Sequence, residues 1–227
     1  MSKPIALDLF CGAGGASMGL HRAGFDVVGV DIKRQPRYPF TFVQADALNP
    51  PLGLSRFDLI WASPPCQAHT FANGRDYRKK HLDLIPATRS LLAASGALTV
   101  IENVPGAPLR ADLVLDGTMF PSLRTIRRRH FELTFPCPIR LGFPTFELVS
   151  RHGWVSATDG DTSSHSRAAR QKRGQRLKDP LPYVASCLGV EWMVSRYEIA
   201  QSIPPVYAEF IGRAAMAHLS ASLEAAA

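Results

Sequence analysis

The chain has 227 residues, enough for one domain with a sizeable core, and its 46% hydrophobic and 20% charged content is that of a globular protein. No apolar run approaches the roughly 18 residues of a membrane-spanning helix, and the four cysteines (Cys11, Cys66, Cys137, Cys187) lie far apart without a CxxC pair. Neither a membrane span, a secretory leader, a disulfide framework nor a bound metal is therefore expected; a reducing cytoplasm fits, and the net charge of +7 favours a polyanionic partner.

In chain order, IALDLFC reads as a strand, and GAGGASMGLHRAG as a glycine turn followed by a helix that stops near Gly24. FDVVGVD, FTFVQAD and RFDLIWAS read as the next three strands. HLDLIPATRSLLAAS suits a helix that Pro86 either kinks or restarts, and ALTVIENV is a fifth strand. Such alternation predicts right-handed crossovers and a parallel sheet covered on both faces, with ligands bound beyond the carboxyl ends of the strands. From 144 to 190 the pattern dissolves into WVSATDGDTSSHSRAARQKRGQRLKDPLPY, a polar, basic insertion with a task of its own or a partly disordered one. Order returns with CLGVEWMVSRYEIAQSIPP, and VYAEFIGRAAMAHLSASL repeats apolar residues at helical spacing after Pro204 and Pro205.

The turn DLFCGAGGASMGL ends a strand in a glycine cluster. Gly12, Gly14 and Gly15 permit a tight turn and close approach of backbone to a ligand. Asp31 ends the second strand 23 residues after Asp8, where a carboxylate can accept from ribose hydroxyls, and Asp46 closes the third. The competing role for these carboxylates is capping of the following helices. Neither a full GxGxxG nor a GxxxxGK[ST] is present, so dinucleotide and triphosphate binding are poorly served, and an adenosine cofactor without phosphates fits better.

The stretch ASPPCQAH places Cys66 directly after two prolines. These remove two backbone donors and fix two φ angles, giving a stiff turn at a strand end. A thiol there is either an inert core sulfur or a presented nucleophile.

Taken in order, DLFCGAGG, SPPCQ, ENV, the RRR of TIRRRHFEL and QSIPPVYAEFIG resemble the DNA cytosine-5 methyltransferases, most closely the compact phage-type and bacterial members. The resemblance covers nearly everything except 144–190. It implies an α/β, Rossmann-like, S-adenosylmethionine-dependent methyltransferase fold with a small loop-rich recognition insertion. The catalytic, cofactor-binding domain would occupy 1–143, the target-recognition region 144–190, and 191–227 would return to the catalytic domain. It also implies S-adenosylmethionine as methyl donor, S-adenosylhomocysteine as product and double-stranded DNA as partner; with a single catalytic site and no interface signal in the sequence, a monomer is the default expectation.

On this resemblance Cys66 adds to C6 of a cytosine flipped out of the duplex, turning the ring into an enamine whose C5 takes the methyl group. Glu102, from ENV, would meet N3, which asks for a carboxyl of raised pKa. Arg127 and Arg129, at period-two spacing, would face one way, with Arg129 at O2 and Arg128 turned outward as a solvated charge. Asn103 would brace the loop. Asp8, Phe10, Gly12, Gly14, Asp31, Ile32, Asp46, Ala47 and Ser202 would line the cofactor, with Phe10 against the adenine, Asp31 on the ribose and Asp46 on the adenine amine. Three departures from the pattern stand out: Ile32 where an aromatic is usual, Thr125 where Gln is usual, and Gln201 where Asn is usual.

The basic segment AHTFANGRDYRKKH carries Arg75, Arg78, Lys79 and Lys80, suited to phosphates beside a flipped base. The insertion carries Arg170, Lys172, Arg173 and Arg176 in a Gly/Ser setting, suited to phosphate contact and the reading of a short motif. Two alternatives stand beside this reading: a tRNA cytosine-5 methyltransferase, and a catalytically silent cofactor- and DNA-binding subunit.

Overall fold

A computed structural model describes residues 3–70, 76, 78–139 and 180–226. Seven strands form one sheet: β1 (Ile5–Leu9), β2 (Asp26–Asp31), β3 (Thr41–Gln44), β4 (Leu59–Ala62), β5 (Leu98–Asn103), β6 (Leu113–Leu115) and β7 (Arg129–Leu133). Their order is β3-β2-β1-β4-β5-β7-β6. The first five in that order are mutually parallel, as the alternating pattern predicts. β7 runs antiparallel to β5, and β6 antiparallel to β7. The short β6 carries too few residues for a periodic signal, so the sheet is mixed at the edge where a purely parallel one was expected.

Period-two alternation explains the two buried faces. Ala6, Trp61, Val100 and Phe131 point to one side, where they join Leu20 of α1 (Gly15–Ala23) and Tyr207 and Ile211 of the long C-terminal helix. Leu7, Leu9, Ile60 and Ile101 point to the other, against Leu92 of α2 (Ile85–Ala93). Pro86 lies in the first turn of α2, so it starts this helix rather than kinking it. Gly24 ends α1 in the left-handed conformation at φ 116°, as the sequence predicts.

Two short helices follow the undescribed insertion: α3 (Leu181–Leu188) and α4 (Arg196–Gln201). The first falls in the stretch read as loop-rich. Its Val184, Ala185, Cys187 and Leu188 pack with Val190, Met193, Ile199 and Ala13, so order returns earlier than the apolar pattern suggested. Ser195 and Glu198 form a capping box at the start of α4. The last helix, α5 (Pro205–Ala226), lies along α1, and the closeness has a sequence cause. A Cβ on Gly15 would strike the Ile203 carbonyl, and one on Gly19 the Pro205 carbonyl. Gly15 therefore serves packing rather than a ligand. No helix among the described residues is long and apolar enough to cross a membrane.

Candidate active site

The carboxyl ends of β1, β2, β4 and β5 lie side by side, so the glycine loop, Asp31, the Cys66 turn and Glu102 gather at one edge. Sheet order places β1 and β4 next to one another, which puts the glycine loop beside the cysteine turn.

The loop after β1 is held open by carboxylates. Phe10 adopts φ 59°, an uncommon conformation for a residue with a Cβ and one that concentrates at functional sites. Gly12 and Gly14 follow at φ 49° and 86°. Gly12 N donates to Asp31 Oδ2 at 3.0 Å, and Lys33 N donates to Asp31 Oδ1 at 2.8 Å, so Asp31 ties the glycine loop to the end of β2. A Cβ on Gly12 would meet nothing within 4 Å, so the space above the loop is open. Ile32 stands 66% exposed beside it, an apolar surface with nothing packed on it. Asp46 accepts from Leu48 N at 2.9 Å, a turn-capping bond that leaves its other oxygen for a ligand, while Ala47 is buried in the core. An open glycine cradle, a carboxylate at the end of β2 and a free apolar side chain fit an adenosine group.

Asp8 has a different place. It is buried on the α1 side of the sheet, where Ser17 Oγ donates to its Oδ2 and also meets the Tyr38 hydroxyl at 2.7 Å. Its Oδ1 has no partner among the described residues, and burial pushes the carboxyl up to about 7. Asp8 thus supports the loop from beneath. Ser202 is likewise buried, donating to Ile199 O at 2.9 Å in the segment beneath the loop. The C-terminal segment is fastened there by Trp192 Nε1, which donates to Ala13 O at 2.8 Å.

Cys66 is half-buried on its proline turn. Asn103 Nδ2 donates to Pro64 O at 2.9 Å, the bracing expected of it. Glu102 is 4% exposed, and Arg129 Nε lies 2.9 Å from its Oε1. Burial pushes the Glu102 carboxyl up despite Arg129, a Ser63 hydrogen bond and the field of Arg127. Arg127 is 2% exposed. Its Nη2 donates to Ala200 O at 2.5 Å, while Nε and Nη1 have no partner among the described residues. Burial pulls this guanidinium down to about 9, with Arg129 adding to the effect and Glu102, Tyr207 and Cys66 opposing it. It stays cationic at neutral pH, and the Cys66 thiol, Glu102 and Arg129 all lie close enough to act on its charge. Tyr207 Oη donates to Arg127 O at 3.0 Å and fixes the backbone there. The strand itself begins only at Arg129, so Arg127 reaches the cluster from the extended segment before it. Arg128 points away, as period-two spacing predicts, but pairs with Asp116 at 3.1 Å rather than standing free.

Of the three departures, Thr125 is buried with its hydroxyl unpartnered among the described residues. Gln201 is exposed at the end of α4, and the link to Arg127 runs instead through the neighbouring Ala200 carbonyl. Among the basic residues, Lys79 and Lys80 are exposed and Arg78 is half-buried; Arg75, Arg170, Lys172, Arg173 and Arg176 lie outside the described residues. Sequence reasoning missed Tyr38, Ser63, Trp192 and Tyr207, all supporting groups. Tyr38 meets the Ser17 hydroxyl, Ser63 the Glu102 carboxyl, and Trp192 and Tyr207 backbone carbonyls, and no spacing in the sequence signals these contacts.

No family model matches the chain. It is 31% identical over 118 residues to the type II methyltransferase M.HgiGI of Herpetosiphon aurantiacus, covering 92% of that protein and 45% of this chain. To the type II methyltransferase M.HgiDI of the same organism it is 32% identical over 116 residues, covering 38% of that protein and 45% of this chain. With the type II methyltransferase M.XorII of Xanthomonas oryzae the identity is 29% over 124 residues, 29% of that protein and 47% of this chain. The chain thus spans only about a third of the length of two of these relatives. Among solved structures, an E. coli prophage-encoded protein described as a DNA modification methyltransferase superposes with a TM-score of 0.62 at 16% identity, over 96% of this chain and 99% of that one. The Entamoeba histolytica methyltransferase EhMeth superposes with 0.54 at 10% identity, over 96% of this chain and 99% of that one. Both likenesses bear on the fold, which is the Rossmann-like methyltransferase fold.

Proposed function

The chain belongs to the type II methyltransferases, and we propose that it methylates DNA at C5 of a flipped-out cytosine through a covalent bond between Cys66 and C6. One observation carries this reading: the thiol turn sits beside a buried carboxyl of raised pKa and a buried guanidinium with two nitrogens unpartnered among the described residues. Methylation of an exocyclic amine needs no thiol, and it calls for acceptors to take the amine's protons. Addition to C6, by contrast, drives negative charge into the ring at N3 and O2, and a cluster of donors is what meets it. The same cluster argues against a silent binding subunit.

S-adenosylmethionine supplies the electrophilic methyl group when bound. The glycine loop, Asp31, Ile32 and Asp46 would hold it, with Phe10 at the adenine. Cys66, as thiolate, forms the S–C6 bond, and the ring's C5=C6 electron pair becomes available at C5. Glu102 gives its proton to N3, and Arg129, with Arg127 behind it, stabilises charge at O2. C5 takes the methyl group, leaving S-adenosylhomocysteine. The C5 proton is then lost to water, the C6–S bond breaks to return the Cys66 thiolate, N3 gives its proton back to Glu102, and C5=C6 is restored. Double-stranded DNA is the substrate in this reading, with Arg75, Arg78, Lys79, Lys80 and the insertion's Arg170, Lys172, Arg173 and Arg176 on its phosphates.

The test is a denaturing gel of the protein with S-adenosylmethionine and duplex DNA carrying 5-fluorocytosine. Fluorine at C5 cannot leave as a proton, so the adduct accumulates. A shifted band in the wild type that is absent in Cys66→Ser is expected. No band on DNA but one on the tRNA equivalent would transfer the reading to RNA. No band on either, with N4- or N6-methylated bases found after nuclease digestion, would overturn it.

A further inference from the structure

The turn that carries Cys66 is held from both sides. Upstream, Asn103 grips Pro64 O. Downstream, Cys66 O accepts from His69 N and Thr70 N, each at 2.9 Å, and from Thr70 Oγ1 at 3.0 Å, closing one turn. The His69 ring is 11% exposed, and its Nε2 lies 3.0 Å from Asp83 Oδ1. That same oxygen accepts from Ile85 N at the start of α2. Thus a buried ring, three residues after the thiol, joins the thiol's turn to a different helix. No catalytic role described above uses this pair, in which a nearly buried ring meets a carboxylate that is one-third exposed. Asp83 also stands three residues after Lys80. His81 N donates to Arg78 O at 3.1 Å, so the exposed Lys79 and Lys80 form a turn leading directly to Asp83.

We propose, resting on the cytosine-5 reading, that His69 and Asp83 are positioning residues: their contact holds the Cys66 turn in place and ties it to the basic turn at Lys79 and Lys80. Phosphate engagement at those lysines and placement of the thiol are then set through one contact. The carboxylate orients the ring, and the ring takes no proton from the reaction; what matters is an Nε2–H donor at that point, which a glutamine amide also supplies.

The test compares His69→Leu, Asp83→Ala and the conservative His69→Gln, all as full chains. Amide exchange at His69 and Thr70, whose N–H groups bind Cys66 O, should quicken about 10-fold in His69→Leu and Asp83→Ala and stay within about twofold in His69→Gln. Adduct formation on 5-fluorocytosine DNA should slow about 10–100-fold in the first two, with S-adenosylmethionine and DNA dissociation constants within about twofold of wild type. Unchanged exchange and adduct rates in His69→Leu would overturn the proposal. So would a His69→Gln as slow as His69→Leu, because the imidazole itself would then take part in the chemistry. If Asp83→Ala unfolds, Asp83→Asn keeps an acceptor for Ile85 N and should show the same pattern at smaller size. A wild type that forms no adduct sinks the cytosine-5 reading, and the exchange rates still decide whether the tether exists.

Discussion

The two halves of the site are built on opposite principles. At the open face of the glycine loop the charged groups already have partners: Asp31 takes two backbone amides and Asp46 takes Leu48 N. At the cysteine turn the charges are gathered but incompletely satisfied. Glu102 is buried with its carboxyl pushed up, and Arg127 carries two buried N–H groups with no partner among the described residues. The first half is a preformed cradle whose shape stands without a ligand. The second holds desolvated donors, and an unpaired buried donor costs ~1–3 kcal/mol until something accepts from it. Affinity for a cofactor should therefore reside in the first half and transition-state stabilisation in the second.

Replacing Arg127 with Met separates the halves most sharply. Removing a buried, underpartnered charge and filling its volume with an apolar side chain should leave the melting temperature unchanged or higher. Methyl transfer should fall about 10²–10³-fold, the scale of losing an oxyanion donor, while cofactor affinity holds. A large drop in stability would mean that the single bond to Ala200 O anchors the fold there. The converse change is Asp31→Ala, which frees Gly12 N and Lys33 N. Titration calorimetry should find S-adenosylmethionine bound about 10–100-fold more weakly, with the adduct rate at saturating cofactor within a few-fold of wild type. Equal losses in both quantities would erase the division.

The two halves were also unequally legible in the sequence. The glycine turn, the strand-end carboxylates and the Pro-Pro-Cys turn follow from local chemistry: φ restriction, φ freedom and strand ends. Five strands and the end of α1 were readable from the same kind of signal. What the sequence could not convey was the direction of β6 and β7, because pairing direction depends on sheet order rather than on residue pattern. It also could not separate Asp8 from Asp31. Both end strands in similar runs, yet β-strand alternation turns Asp8 under the sheet towards Ser17, while Asp31 sits one residue past Val30 at the open edge. Arg127 and Arg129 read as two arginines facing the same way, with Arg129 at O2. Packing against α4 and Tyr207 makes one of them buried and half-satisfied and the other a partner of Glu102.

That turning-under of Asp8 has the smallest and most specific consequence. Its carboxyl is pushed from the ordinary 3.8 to about 7, with burial the leading cause, Ser17 opposing it, and Asp31 and Glu102 adding to it. In the unfolded chain the group ionises near pH 4, so between about 4 and 7 the folded state holds a proton that the unfolded state has lost. Stability from this group must then fall as pH rises through that window, and above about 7 the fold carries a buried carboxylate at a cost of a few kcal/mol. Asp8→Asn keeps the side chain's shape and an acceptor for Ser17 but cannot ionise. Its melting temperature should exceed that of wild type at pH 8 by several degrees, with the excess shrinking through pH 5 and vanishing near pH 4, leaving the variant's pH profile flatter over that range. Because the Asp31–Gly12 bond is untouched, cofactor affinity at pH 8 should stay within about threefold of wild type. A variant that melts lower than wild type at pH 8 would mean that the ionised carboxylate stabilises the loop rather than burdening it.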